Sequence, residues 1–119
     1  MIAIVDDEPQ VRRALQRLLR SEGYEVRLFA TGDEFMHNLD GIDCAILDLH
    51  LPGTTGFDIQ ESLLARKSTL PVVVLTGNDT TANRSRSLAN GARAYLVKPV
   101  NDTALLDALR PLALPSPAM

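Results

Sequence analysis

Four places in this sequence carry side chains that could do chemistry together: Asp6-Asp7-Glu8, Asp48, Thr76 and Lys98. Each stands at the end of a short apolar run, where a strand would finish. Carboxylates gathered from neighbouring strand ends repel one another, which raises a pKa or weakens the fold. A hard divalent cation removes that conflict. Mg²⁺ takes oxygen ligands in near-octahedral geometry and keeps several waters. Asp6, Asp7 and Asp48 are therefore candidate ligands, directly or through water. Lys98 adds a positive point charge opposite the metal. A cation, a lysine, a hydroxyl and a carboxylate are the parts that phosphoryl transfer uses, since that chemistry is mostly positioning and charge stabilisation. A carboxylate can itself be the nucleophile and become an acyl phosphate. Asp48 is the candidate nucleophile, because it ends the middle run of the five.

Those runs are Ile2–Val5, 24–29, Cys44–Leu47, 72–75 and Ala94–Val97. They are short, rich in β-branched and aromatic residues, and bounded by turn formers, which predicts strands. Most are apolar on both faces, as in a parallel sheet covered by helices. The run 24–29 alternates and suits an edge. Between the runs lie helical patterns. Val11, Ala14, Leu15, Leu18 and Leu19 form an i, i+3, i+4, i+7, i+8 stripe, with Pro9 in the first turn and Gly23 at the exit. Thr31-Gly32-Asp33-Glu34 reads as a capping box opening a helix over 31–39. Further helices are expected over 56–66 and 80–90, the latter with Ala82, Leu88 and Ala89 as its buried face. A last helix carries Leu105, Ala108, Leu109 and Leu112, capped by Asn101 or Asp102. Alternating strands and helices predict an α/β fold with a parallel sheet. The flavodoxin-like (βα)5 arrangement with strand order 2-1-3-4-5 fits best, and it places a site beyond the carboxyl ends of strands 1 and 3.

Composition sets the outer limits. The chain has 119 residues, a formal net charge of −3, 45% hydrophobic and 23% charged residues. That is the size of one domain. No apolar run approaches the roughly 18–20 residues of a membrane span, and no signal-peptide pattern is present. One cysteine, Cys44, allows no internal disulfide and no cysteine zinc site. It lies in an apolar run, so an inert buried thiol is expected. Mild acidity with scattered arginines argues against a nucleic-acid surface in this segment. The expected setting is cytoplasmic. A domain over 1–113 is expected, with 114–119 a tail or the start of a linker, since 111–119 holds three prolines.

The ordered set Ile4-Val5-Asp6-Asp7-Glu8-Pro9, Leu47-Asp48-Leu49-His50-Leu51-Pro52-Gly53, Val74-Leu75-Thr76-Gly77 and Gly91-Ala92-Arg93-Ala94-Tyr95-Leu96-Val97-Lys98-Pro99 resembles the receiver domain of two-component response regulators over nearly the whole chain. Within the family it is similar to the FixJ-type branch of transcriptional regulators. The resemblance implies that a sensor histidine kinase donates phosphoryl to Asp48 in the presence of Mg²⁺. It implies metal ligation by Asp7, Asp48 and the main-chain carbonyl of His50, with Asp6 acting through water. Thr76 and Lys98 would contact phosphoryl oxygens, and Tyr95 would turn inward as a switch. The Lys98–Pro99 bond is commonly cis in the family. The face made by the fourth helix, fifth strand and fifth helix would report the state to a partner. His50 and Asn78 are positions that tune phosphoryl lifetime. The resemblance also implies a phosphorylation-dependent homodimer, and either a DNA-binding output domain after Met119 or a stand-alone receiver. It implies no turnover of external substrates and no direct contact with nucleic acid or membrane.

Each signal has a plainer reading. Asp6-Asp7-Glu8 could be an acidic helix start, Asp48 a turn residue before Pro52-Gly53, and Lys98-Pro99 a solvated loop. His37 and the side chain of His50 are expected in solvent, Tyr95 could be plain core, and Arg84, Arg86 and Arg93 could be solvated surface. Competing functions fare less well. A haloacid-dehalogenase-type phosphatase wants an Asp where His50 stands. A flavodoxin-like flavin or nucleotide binder wants a Ser/Thr/Gly-rich phosphate loop after the first strand, where Asp6-Asp7-Glu8 would repel a phosphate. A receiver that only binds partners has no need of the intact acidic set.

Overall fold

The computed structural model describes residues 1–115 of the chain. Five parallel strands, β1 (Ile2–Val5), β2 (Val26–Phe29), β3 (Cys44–Leu47), β4 (Val72–Thr76) and β5 (Ala94–Val97), form one sheet in the order β2-β1-β3-β4-β5. The helices between and after them are α1 (Pro9–Ser21), α2 (Gly32–Met36), α3 (Gly56–Ala65), α4 (Thr81–Ala89) and α5 (Asp102–Leu109). The expected fold class and strand order are therefore observed. β1 and β3 are buried throughout, which is why their sequences show no alternation. β2 lies at an edge and does alternate.

The sheet separates two apolar layers. On one side Leu15 and Leu19 of α1 meet Leu105, Leu106 and Leu109 of α5 over Ile2, Ile4 and Leu75. On the other, Phe35 of α2 and Ile59 and Leu63 of α3 cover Ala3, Val5, Leu47 and Val74. Register then fixes the site. Val5 pairs with Leu47, and Leu47 with Val74. Asp6 and Asp48 consequently leave the sheet side by side. Thr76 pairs with Val97, so Lys98 follows one step beyond the end of β4. Among the described residues no helix is long and apolar enough to cross a membrane.

Several expected boundaries move, each for a local reason. β2 begins at Val26, not Tyr24. Gly23 has φ 90°, and the Gly23 and Tyr24 amides bond back to Arg20 O and Leu19 O. Tyr24 thus belongs to the helix-ending motif of α1. α2 stops at Met36, short of the expected 39. Asn38 Nδ2 donates to Glu34 O, the carbonyl that the Asn38 amide would use in a continuing helix, and that amide bonds instead to Phe35 O. Thr31 caps Glu34 N as expected. The complete capping box, however, forms at Thr55 and Asp58 of α3. Its hydrogen bonds hold the Asp58 carboxyl below its ordinary pKa.

The larger correction concerns α4. Ala82, Leu88 and Ala89 are exposed, and the buried residue is Ser87. The helix turns Asn83, Ser87 and Asn90 toward the protein, where Asn83 donates to Asn78 O and the main-chain O of Ser87 accepts from Gln60 Nε2. Ala14 of the α1 stripe is likewise exposed. In α5, Leu106 joins the buried face, while Leu112 falls in the turn after the helix. Residues 116–119 of the expected 114–119 tail lie outside the described residues.

Candidate functional site

The carboxyl ends of β1, β3 and β5 meet at Lys98. Its Nζ donates to Asp6 Oδ2 at 2.8 Å and to Asp48 Oδ2 at 3.2 Å, and lies 3.8 Å from Glu8 Oε1. Asp6 is 2% exposed and Asp48 6%, so this is a desolvated charge cluster. Burial pulls the Lys98 ammonium pKa down, but the hydrogen bond it donates to Asp6 and the charges of Asp48 and Asp6 outweigh it and leave it raised. The second oxygen of each aspartate is also held. Asp6 Oδ1 accepts from the Glu8 amide and Asp48 Oδ1 from the His50 amide. Backbone donors thus aim both carboxylates without consuming the lysine.

Asp7 is exposed beside them. Asp6, Asp7 and Asp48 each offer a carboxylate oxygen, all within 4.8 Å of one another. Three carboxylates facing one ammonium leave net negative charge in a partly buried corner. An all-oxygen donor set with that surplus suits a hard divalent cation, so the residues present fit Mg²⁺.

Around this corner stand residues that motif spacing does not single out. Arg12, one turn into α1, donates through Nη1 to Asp6 O at 2.6 Å. Gly56 opens α3 against the Asp48 main chain. A Cβ there would lie 2.4 Å from Asp48 O and 2.8 Å from Leu49 Cα. The Gly56 amide meanwhile bonds to Leu49 O. The sequence offers a faint signal for Gly56 only, as a glycine behind a threonine cap. The structure also brings the loop after β4 to the site. Thr76 Oγ1 accepts from the Asn78 amide at 3.0 Å, Asn78 Nδ2 lies 3.4 Å from His50 Nε2, and Asn83 of α4 donates to Asn78 O at 2.9 Å. Positions 50 and 78 therefore touch across the mouth of the site. The Lys98–Pro99 bond is cis, and the Lys98 amide donates to Thr76 O.

Likeness to known proteins gives the family. Residues 2–110 match the family model described as the response regulator receiver domain. The chain belongs to that family. It is similar to nodulation protein W of Bradyrhizobium diazoefficiens, 34% identical over 92% of this chain and 49% of the relative. It is similar to the transcriptional regulatory protein TcrA of Mycobacterium tuberculosis, 36% identical over 98% and 47%. Among solved structures it resembles a CheY-like receiver domain from Methanospirillum hungatei, with TM-score 0.85 and 31% identity over 92% of this chain and 90% of that one. The chain spans about half the length of the curated relatives it matches. As a receiver domain it is a signalling module of two-component systems, and its relatives include transcription regulators.

Within the receiver domain Tyr95 sits apart from the carboxylates. It is 8% exposed, packed with the α3 layer, and Arg84 Cζ lies 4.5 Å over its ring. Its hydroxyl is buried without a hydrogen-bond partner among the described residues. Burial, then Asp79, raises its pKa. His37 is exposed on the far side of the molecule, and Cys44 is fully buried, as expected of both.

Proposed function

We propose that this receiver domain accepts a phosphoryl group on Asp48 from the phosphohistidine of a sensor histidine kinase. The observation that carries the reading is Asp48 itself. It is buried at the end of the central strand, aimed by the His50 amide and paired with Lys98 at 3.2 Å. One Asp48 oxygen attacks phosphorus, the P–N bond breaks, and its electron pair leaves with the imidazole. The nucleophile is a carboxylate oxygen, which attacks through a lone pair without a general base. Lys98, held protonated by its raised pKa, stays beside Asp48 to pair with a phosphoryl oxygen. Thr76 Oγ1 accepts from Asn78 N, so its own O–H is left to donate to another.

Asp7, Asp48 and the His50 main-chain carbonyl would hold Mg²⁺, with Asp6 acting through water. When bound, the ion supplies positive charge against the phosphoryl oxygens. Phosphorylation then favours a state in which Thr76 and the loop after it are drawn toward the site, with Tyr95 following. That shifts an equilibrium that already exists. The face of α4, β5 and α5 reads it out, and exposed Leu88 and Val97 lie on that face. The receiver domain spans 1–113, with 114–119 a tail or linker start. It works in the cytoplasm, either ahead of a DNA-binding output domain or as a stand-alone receiver, and forms a phosphorylation-dependent homodimer. It turns over no external substrate.

Incubation with acetyl phosphate and Mg²⁺, followed by intact-mass measurement, tests this. One hydroxylamine-labile phosphoryl adduct is expected, lost in Asp48→Ala and in the presence of a chelator. An adduct that persists in Asp48→Ala would overturn the assignment.

A further inference from the structure

The contact between α3 and α4 is polar where a helix contact is normally apolar. Ser87, the buried residue of α4, is 0% exposed, and Gln60 of α3 is 2% exposed. Gln60 Nε2 donates to Ser87 O at 3.0 Å. Three atoms here have no hydrogen-bond partner among the described residues: Gln60 Oε1, Ser87 Oγ and, one turn on, Asn90 Nδ2. Turning the Gln60 amide over does not help. It would set Oε1 against Ser87 O, an oxygen that already accepts from Ala92 N as α4 ends. Unpaired polar atoms at such burial cost about 1–3 kcal/mol each, and a structure that keeps three together supplies them with a partner.

A cleft of about 110 Å³ adjoins Gln60 and Asn90, with Leu63, Ser68, Gly91 and Arg93 among its other lining residues. It is large enough to admit water. The donor and acceptor pattern is that of water. An acceptor on α3 stands near a donor at the C-terminal cap of α4, Asn90, with the Ser87 hydroxyl able to serve as either. We propose that this seam is a buried hydration site, in which ordered water joins Gln60 Oε1 to Ser87 Oγ and Asn90 Nδ2. α4 then leans on α3 through solvent as well as through direct contacts. This site is separate from the carboxylate cluster and stands independently of the role given to Asp48.

Two measurements decide it. A crystal structure of the protein at a resolution that places individual waters should show an ordered water within hydrogen-bond distance of Gln60 Oε1 and of Ser87 Oγ or Asn90 Nδ2. Direct protein partners for these atoms, with no water between, would overturn the proposal. In the native protein, water held there should also give nuclear Overhauser contacts to the side-chain amide protons of Gln60 or Asn90, and their absence would contradict the proposal.

Discussion

Lys98 is the residue on which the charge balance of the site rests. Its ammonium pairs with the carboxylates of both buried Asp6 and buried Asp48. Lys98→Met should therefore destabilise the metal-free protein by about 3 kcal/mol, because it strands buried negative charge. Urea unfolding measures this. The raised Lys98 pKa gives the sign with pH. Its contribution is complete below the unfolded value of about 10.4 and fades as pH climbs through the higher folded value. The gap between wild type and Lys98→Met should narrow in strongly alkaline buffer and stay constant around neutrality. Cys44 behaves in the opposite manner to a reactive thiol. Burial, above all, pushes its pKa up to about 12, and the thiolate is the reactive species. Iodoacetamide should leave the native protein unlabelled in mildly alkaline buffer and label it fully in urea.

At the scale of elements, the site depends on how α3 starts. Gly56 lets the helix approach the Asp48 main chain, and any Cβ would collide with backbone at 2.4 Å. Gly56→Ala should cost about 1–3 kcal/mol through overpacking and slow phosphorylation by acetyl phosphate. Gly77 makes the contrast. A Cβ there meets only Lys98 Cδ, at 3.8 Å, so Gly77→Ala should fold with near-normal stability. The sequence foretold the elements better than their faces. Runs such as Ile2–Val5 and Cys44–Leu47 announce strands because both faces are buried. The α4 segment Thr81–Ala89 has few apolar residues, so placing Leu88 and Ala89 inside followed hydropathy alone. The actual inward face carries Ser87, whose main-chain O accepts from Gln60 Nε2, 27 residues away in the chain, a contact that no local pattern displays. Arg12 reaching Asp6 O and Asn78 meeting His50 are missed for the same reason.

At the scale of the molecule, one sheet carries two apolar layers, and both must form for the strand ends to align. Leu105→Ala, in the α1–α5 layer, should lower stability by about 2–5 kcal/mol. Leu88→Ala, on the exposed face of α4, should change it by less than about 0.5 kcal/mol. Urea denaturation of the two variants checks this, and equal losses would restore Leu88 to the core. The acidic set was legible as a site because each member follows a strand, and parallel strands in the order 2-1-3-4-5 bring those ends together. What spacing alone did not reveal is how they are held. Asp6 and Asp48 are buried, aimed by backbone amides, and share one ammonium. A net charge of −3 spread over 119 residues thus contains one dense corner.

The role of that corner turns on which carboxylate takes the phosphoryl group. The protein would be treated with acetyl phosphate and Mg²⁺, reduced with borohydride, which converts an aspartyl phosphate to homoserine, and mapped by peptide mass spectrometry. Homoserine at position 48, with Asp6 and Asp7 unchanged, is the predicted result. Homoserine at position 6 or 7, or unmodified Asp48 in protein that carries the phosphoryl group, would contradict it.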